Sequence, residues 1–162
     1  MKLLKKLFAL LSAGCLLMLC TSCGKQKSNI LAVYYQPDGC IAQCSEYLSE
    51  NTGAVLLELT DENCADKYRG LLSDADILFV GFPLTDGTAP DSVLSFFEKN
   101  APADKAVCVF VYSPDGKTGS SLADIGALCP KSQIVDRLVL RENDFEEIKP
   151  AFEGWYGNIL FW

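Results

Sequence analysis

KAVCVFVY, Lys105 to Tyr112, is apolar on consecutive positions and carries no charge after its first residue. A strand that alternates apolar and polar side chains covers one face of a sheet. A strand that is apolar throughout is buried on both faces, as in parallel sheets. Two other stretches share that form: ILAVYY, Ile30 to Tyr35, and DILFVGF, Asp76 to Phe82. Ala54 to Leu59 and Gln133 to Leu140 read as two further strands. Helical patterns lie between and after them. Cys40 to Asn51 puts Ile41, Cys44 and Leu48 on one stripe and stops at Asn51-Thr52-Gly53. Asp61 to Leu72 is a short helix, and Pro90 to Lys99 turns Val93, Phe96 and Phe97 inward. Leu122 to Leu128 is stopped by Cys129-Pro130, and a last helix from Asn143 to about Trp155 is interrupted by Pro150. Such alternation predicts a three-layer, doubly wound α/β fold with a five-stranded parallel sheet. Ligands of such sheets sit outside the carboxyl ends of the strands, where strand order reverses. The segments leaving strands 1, 3 and 4 are therefore the candidate site: Gln36–Ile41, Gly81–Pro90 and Ser113–Ser121.

The N-terminus has a different character. Lys2, Lys5 and Lys6 precede an apolar run from Leu7 to Leu19, then Thr21-Ser22-Cys23-Gly24. That is the pattern of a secretory signal, too short to span a bilayer comfortably. Cys23 follows two small residues and precedes a polar stretch, Lys25 to Asn29. This resembles a bacterial lipobox, with Cys20 where Leu is usual; Ser12-Ala13-Gly14-Cys15 is a weaker second match. The resemblance implies cleavage before Cys23 and lipid on its sulfur. The expected organisation is a signal over 1–22, a polar tether over 23–29 and one folded domain over 30–162. The chain would then lie on the outer face of the cytoplasmic membrane.

Charge and cysteines narrow the chemistry. The chain has 21 acidic and 14 basic residues, net −7. Loss of the signal removes three lysines and no acid, so the remainder is more acidic still. Charge of that sign attracts neither nucleic acid nor anionic lipid, so a lipid anchor would have to hold the chain at a membrane. There are eight cysteines, no CxxC pair, no zinc spacing and no histidine. Ser/His/Asp and Cys/His catalysis are excluded. Cys40 would lie near a helix start, where thiolate is favoured, with Cys44 on the same face. A thiol-redox pair is one reading; buried core residues are the weightier one. Gly116-Lys117-Thr118 has the end of a nucleotide phosphate loop, but Val111 stands where its first glycine belongs.

The three exit segments carry a resemblance. Tyr34-Tyr35 with Gly39, Gly81-Phe82-Pro83 with Gly87-Thr88-Ala89-Pro90, and Ser121 to Ile125 with Leu128-Cys129-Pro130 are similar to a flavodoxin. The likeness is to the long-loop, lipoprotein-like members and covers Ile30 to Leu140. It implies strand order 2-1-3-4-5, non-covalent FMN and electron transfer to another redox protein. It also implies site residues. The amides of Gly39, Cys40 and Ile41 would hold the phosphate. Thr85, Asp86, Gly87 and Thr88 would flank the flavin ring, with Ser113, Gly116 and Gly119 along its other edge.

The departures weaken that implication. Gln36, Asp38, Cys40 and Ile41 stand where the family has hydroxyl or Asn side chains around the phosphate, and Asp38 would repel it. Leu84-Thr85-Asp86 offers no aromatic ring where many members stack a Trp on the flavin. The alternative is a flavin-free binding or accessory module that keeps the fold.

Overall fold

A computed structural model describes residues 28–36, 39–60 and 68–160. The expected signal and Cys23, the loop residue Asp38 and most of the helix expected over Asp61–Leu72 lie outside the described residues.

The five strands are β1 (Ile30–Tyr35), β2 (Val55–Leu59), β3 (Ile77–Pro83), β4 (Ala106–Tyr112) and β5 (Gln133–Leu140). They pair in parallel in the order β2-β1-β3-β4-β5. The doubly wound sheet expected from the apolar runs is the one observed. The helices are α1 (Cys40–Thr52), α2 (Arg69–Asp74), α3 (Asp91–Asn100), α4 (Ser121–Leu128) and α5 (Phe145–Leu160).

Alternate side chains of the central strands feed two cores. Leu78, Val80 and Phe82 of β3 and Val107, Val109 and Val111 of β4 pack with Leu72, Val93, Phe96, Phe97 and Ile125 of α2, α3 and α4. Phe79 and Phe110 face the other way, onto Ile41, Cys44 and Leu48 of α1 and Phe152, Trp155 and Tyr156 of α5. Both faces of the inner strands are therefore buried, which is why they read as unbroken apolar runs.

Two helix C-termini differ from expectation by more than one residue. α2 runs on to Asp74, two residues past Leu72. Lys105 Nζ donates to the carbonyls of Ser73 and Ala75, at 2.9 and 2.5 Å, and so satisfies the terminal acceptors of that helix. The last helix is not interrupted at Pro150 but continues to Leu160. Proline removes the donor for the Glu146 carbonyl; both residues are exposed, so water can reach that position. Burial of Ile148, Phe152, Trp155 and Tyr156 on one side then outweighs the lost bond.

Gly81 is fixed by packing rather than by a turn. A Cβ at this position would lie 2.2 Å from Phe110 Cζ, inside the aromatic core. The ring of Phe110 also packs edge-on against Phe152 at 5.3 Å and Trp155 at 6.1 Å between centroids. Gly81→Ala is expected to cost about 1–3 kcal/mol by overpacking. Urea denaturation measures it, and the same substitution on a Phe110→Leu background should cost less than on wild type.

Candidate functional site

The exits of β1, β3, β4 and β5 meet at the carboxyl end of the sheet, tied by backbone and side-chain hydrogen bonds. Leu84 N–H donates to the Tyr112 carbonyl at 3.0 Å, and Ser113 N–H to that of Leu140 at 2.8 Å. Ser120 N–H donates to the Gly87 carbonyl at 3.0 Å. A Cβ on Gly119 would fall 1.7 Å from that same oxygen, so the β3 and β4 exit loops touch backbone to backbone. Only glycine permits this approach.

The β3 exit is a small hairpin. Thr85 and Thr88 exchange both backbone hydrogen bonds, at 3.0 and 2.9 Å, around Asp86 and Gly87, whose φ angles are 51° and 78°. Two positive φ values make a type I′ turn, for which Asp-Gly is a favoured pair. All four residues are exposed.

The β4 exit is built round a carboxylate. Asp115 Oδ1 accepts from Ser113 Oγ at 2.7 Å and from Lys117 N–H at 3.0 Å. The Ser113 hydroxyl, with the Lys117 amide behind it, holds the Asp115 carboxyl below the usual aspartate range. Arg141, from the β5 exit, lies over Gly116; its Nε would be 2.5 Å from a Cβ there.

Between these two loops lies a pocket of about 330 Å³, lined by Leu84, Gly87, Ser113, Pro114, Asp115, Lys117 and Gly119. That is the lower end of the ~300–1,000 Å³ usual for small-molecule sites. Three of the expected ring-site residues, Gly87, Ser113 and Gly119, share it. Thr85, Asp86, Thr88 and Gly116 are not among its lining residues, and the lining contains no aromatic side chain.

The β1 exit is different. Gly39 stands at the head of α1 with φ 99° and supplies no side-chain cap. Cys40 N–H donates instead to Asn143 Oδ1 at 3.2 Å, across 103 residues of sequence. Asn143 Oδ1 and Nδ2 lie 3.2 and 3.8 Å from where a Cβ on Gly39 would be, and Gln36 Oε1 lies 3.8 Å from it. Gln36 has φ 96°, a conformation rare for a residue with a side chain, and its buried Oε1 has no hydrogen-bond partner among the described residues. Two carboxamides thus occupy the space beside Gly39, and one of them holds the Cys40 amide. The FMN expected here meets a partial fit: a pocket lies where the ring was expected, and where the phosphate was expected the chain's own Asn143 and Gln36 lie beside Gly39 and Cys40.

Asn143 was read from sequence only as a helix start. The Asn143-Asp144 pair does mark one, since Asp144 Oδ1 accepts from Glu146 N–H at 2.9 Å. Nothing local could reveal that the neighbouring Asn143 serves a different helix.

The cysteines among the described residues belong to the core. Cys40, Cys44, Cys108 and Cys129 are free and buried. Burial pushes the Cys40 thiol up to about 11, against the pull of the Cys40 and Ile41 amides, and Cys108 up to about 12. Burial raises Cys44 and Cys129 as well. A thiolate at the start of α1 is thus disfavoured, and the core reading of Cys40 and Cys44 is the one the geometry carries.

No protein-family model and no curated protein matches the chain. Solved structures do. A flavodoxin, WrbA-like protein from Agrobacterium tumefaciens aligns with a TM-score of 0.63 at 19% identity, over 82% of this chain and 94% of that one. A flavoprotein in complex with FMN from Lactobacillus acidophilus NCFM gives 0.54 at 14% identity, over 76% and 99%. An NADPH-quinone reductase from P. pentosaceus gives 0.58 at 13% identity, over 78% and 96%. Identities this low establish the fold and nothing finer: the chain has the flavodoxin-like fold.

Two outcomes follow for the loops and thiols. Ser113→Ala should raise the Asp115 carboxyl pKa toward the ordinary aspartate value, read by NMR titration of its side-chain carbon. The folded value is the depressed one, so the Asp115 bonds hold at neutral pH and are lost as acid titrates through it. The four buried thiols should resist iodoacetamide in the native chain and react fully in denaturant.

Proposed function

We propose that this chain is an exported, lipid-anchored redox protein that holds a flavin by its ring between the β3 and β4 exit loops. The observation that carries this reading is the pocket formed by Leu84, Gly87, Ser113 to Asp115, Lys117 and Gly119 at the carboxyl end of a doubly wound sheet. Structures of the same fold that are described as flavodoxin, FMN-bound flavoprotein and quinone reductase support it. The chemistry supplied by a flavin ring, when bound, is reversible electron uptake. The chain's part is to place that ring. Gly87 and Gly119 allow close backbone approach, and the Ser113–Asp115 turn fixes one wall. Asp115, kept anionic, opposes a build-up of negative charge beside it, moderated by Lys117 at 3.6 Å. Exposed Glu142, Asp144, Glu146 and Glu147 adjoin the β5 exit and suit a redox partner with a basic face.

A second reading is favoured by two observations. The pocket has no aromatic wall, and Asn143 already takes the Cys40 amide, one of the three expected at the phosphate. On that reading the fold is a flavin-free binding or accessory module at the cell surface.

Titration of the chain with riboflavin and with FMN, following flavin fluorescence and visible absorbance, separates the two. Saturable quenching supports the redox reading. No change with either flavin at high micromolar concentration leaves the accessory reading. The anchor has its own test: metabolic palmitate labelling is expected in the wild type and lost in Cys23→Ser, while labelling that persists would refute Cys23 as the site.

A further inference from the structure

We infer that Asn143 closes the anion nest at the head of α1, so that the site takes a phosphate-free flavin at least as well as FMN. The second half of this inference rests on the flavin reading proposed above; the first half does not.

Three amides, those of Gly39, Cys40 and Ile41, stand at the first turn of α1, where phosphate binding in such a fold would be expected. The side chains described around them are set against an anion. The Cys40 N–H is already donated to Asn143 Oδ1 at 3.2 Å. The amides of Cys40 and Ile41 also lean on the Cys40 sulfur, lowering the pKa that burial raises. The volume over Gly39 holds the Asn143 carboxamide and Gln36 Oε1, within 3.2–3.8 Å of a Cβ position there. A phosphate placed here would displace a neutral cap and meet the oxygen of Gln36. The cations of the neighbouring loops are turned elsewhere. Lys117 pairs with Asp115, and the Arg141 guanidinium covers Gly116.

The ring pocket lies apart from this arrangement. Its lining includes none of Gln36, Gly39, Cys40 or Asn143. Closing the nest thus leaves the ring position available and removes the advantage that a phosphate gives FMN over riboflavin.

The test uses the full chain in mild detergent, ¹⁵N-labelled, as wild type, Asn143→Ala and Asn143→Asp. Asn143 is exposed and its side chain reaches only the head of α1, through the Cys40 amide, so both variants should fold. Inorganic phosphate is titrated while the Cys40 and Ile41 amide resonances are followed. Saturable shifts in Asn143→Ala, with none in wild type or in Asn143→Asp, are the result expected. Wild-type amides that respond as strongly as those of Asn143→Ala overturn the closure. Amides that stay silent in Asn143→Ala overturn it too, because removing the cap must then expose nothing. Riboflavin and FMN are titrated into the same three proteins. Wild type should bind riboflavin at least as tightly as FMN, and Asn143→Ala should move the ratio toward FMN by about tenfold. A wild type that prefers FMN tenfold or more overturns the phosphate-free preference. Failure of every protein to bind either flavin, with the phosphate result as expected, refutes the flavin reading and leaves the closure standing.

Discussion

The Phe110 ring lies in space that only a glycine at position 81 leaves free. Much of the arrangement at the carboxyl end follows from that contact. Phe110 sits on β4 directly across from Gly81 on β3, and its ring can cover the backbone there. It then offers its edge to Phe152 and Trp155, while Phe79 meets Trp155 at 5.6 Å. These contacts seat α5 on the same face as α1. Tyr47 of α1 confirms the pairing from the other side: it packs on Phe145 at 5.5 Å and donates its hydroxyl to Glu153. With α5 held there, its first residues reach the head of α1, and Asn143 finds the Cys40 amide.

A helix start buried against a sheet must have its amide donors satisfied by something. Water, a ligand anion or a side chain can do so. Here the side chain comes from the far end of the sequence and carries no charge. Burial acts in the same direction on Cys40. The helix start favours a thiolate, but desolvation wins, and the sulfur remains a neutral core atom. The Cys40 amide and thiol are therefore both accounted for within the chain, whereas the β3 and β4 exits keep a cavity between them.

The fold was legible in the sequence because its central strands have no solvent face. β1 and β5 begin and end where their composition predicts, β3 shifts by a single residue at each end, and β4 starts one residue later than expected. Helix α1 was legible from Ile41, Cys44 and Leu48, all fully buried. Pro150 misled because helix-breaking is a local penalty and the four buried residues of α5 are a tertiary gain. At the site, Gly87 and Gly119 were picked out as loop glycines. That one lies on the other's carbonyl was hidden, since it depends on two loops some thirty residues apart. The bond between Asn143 and Cys40 spans almost the whole domain, and no periodicity or spacing encodes it. What the sequence did show was the loss of hydroxyls near Gly39. It could not show which residue had taken their place.

The proposed function divides one crevice: a pocket open to the flavin ring beside amides that Asn143 caps. A crystal structure grown with saturating FMN tests this most directly. The expected result is the ring between Leu84–Gly87 and Ser113–Gly119, the phosphate outside in solvent, and Asn143 Oδ1 still on the Cys40 amide. A phosphate seated on the amides of Gly39, Cys40 and Ile41, with Asn143 swung away, would contradict it.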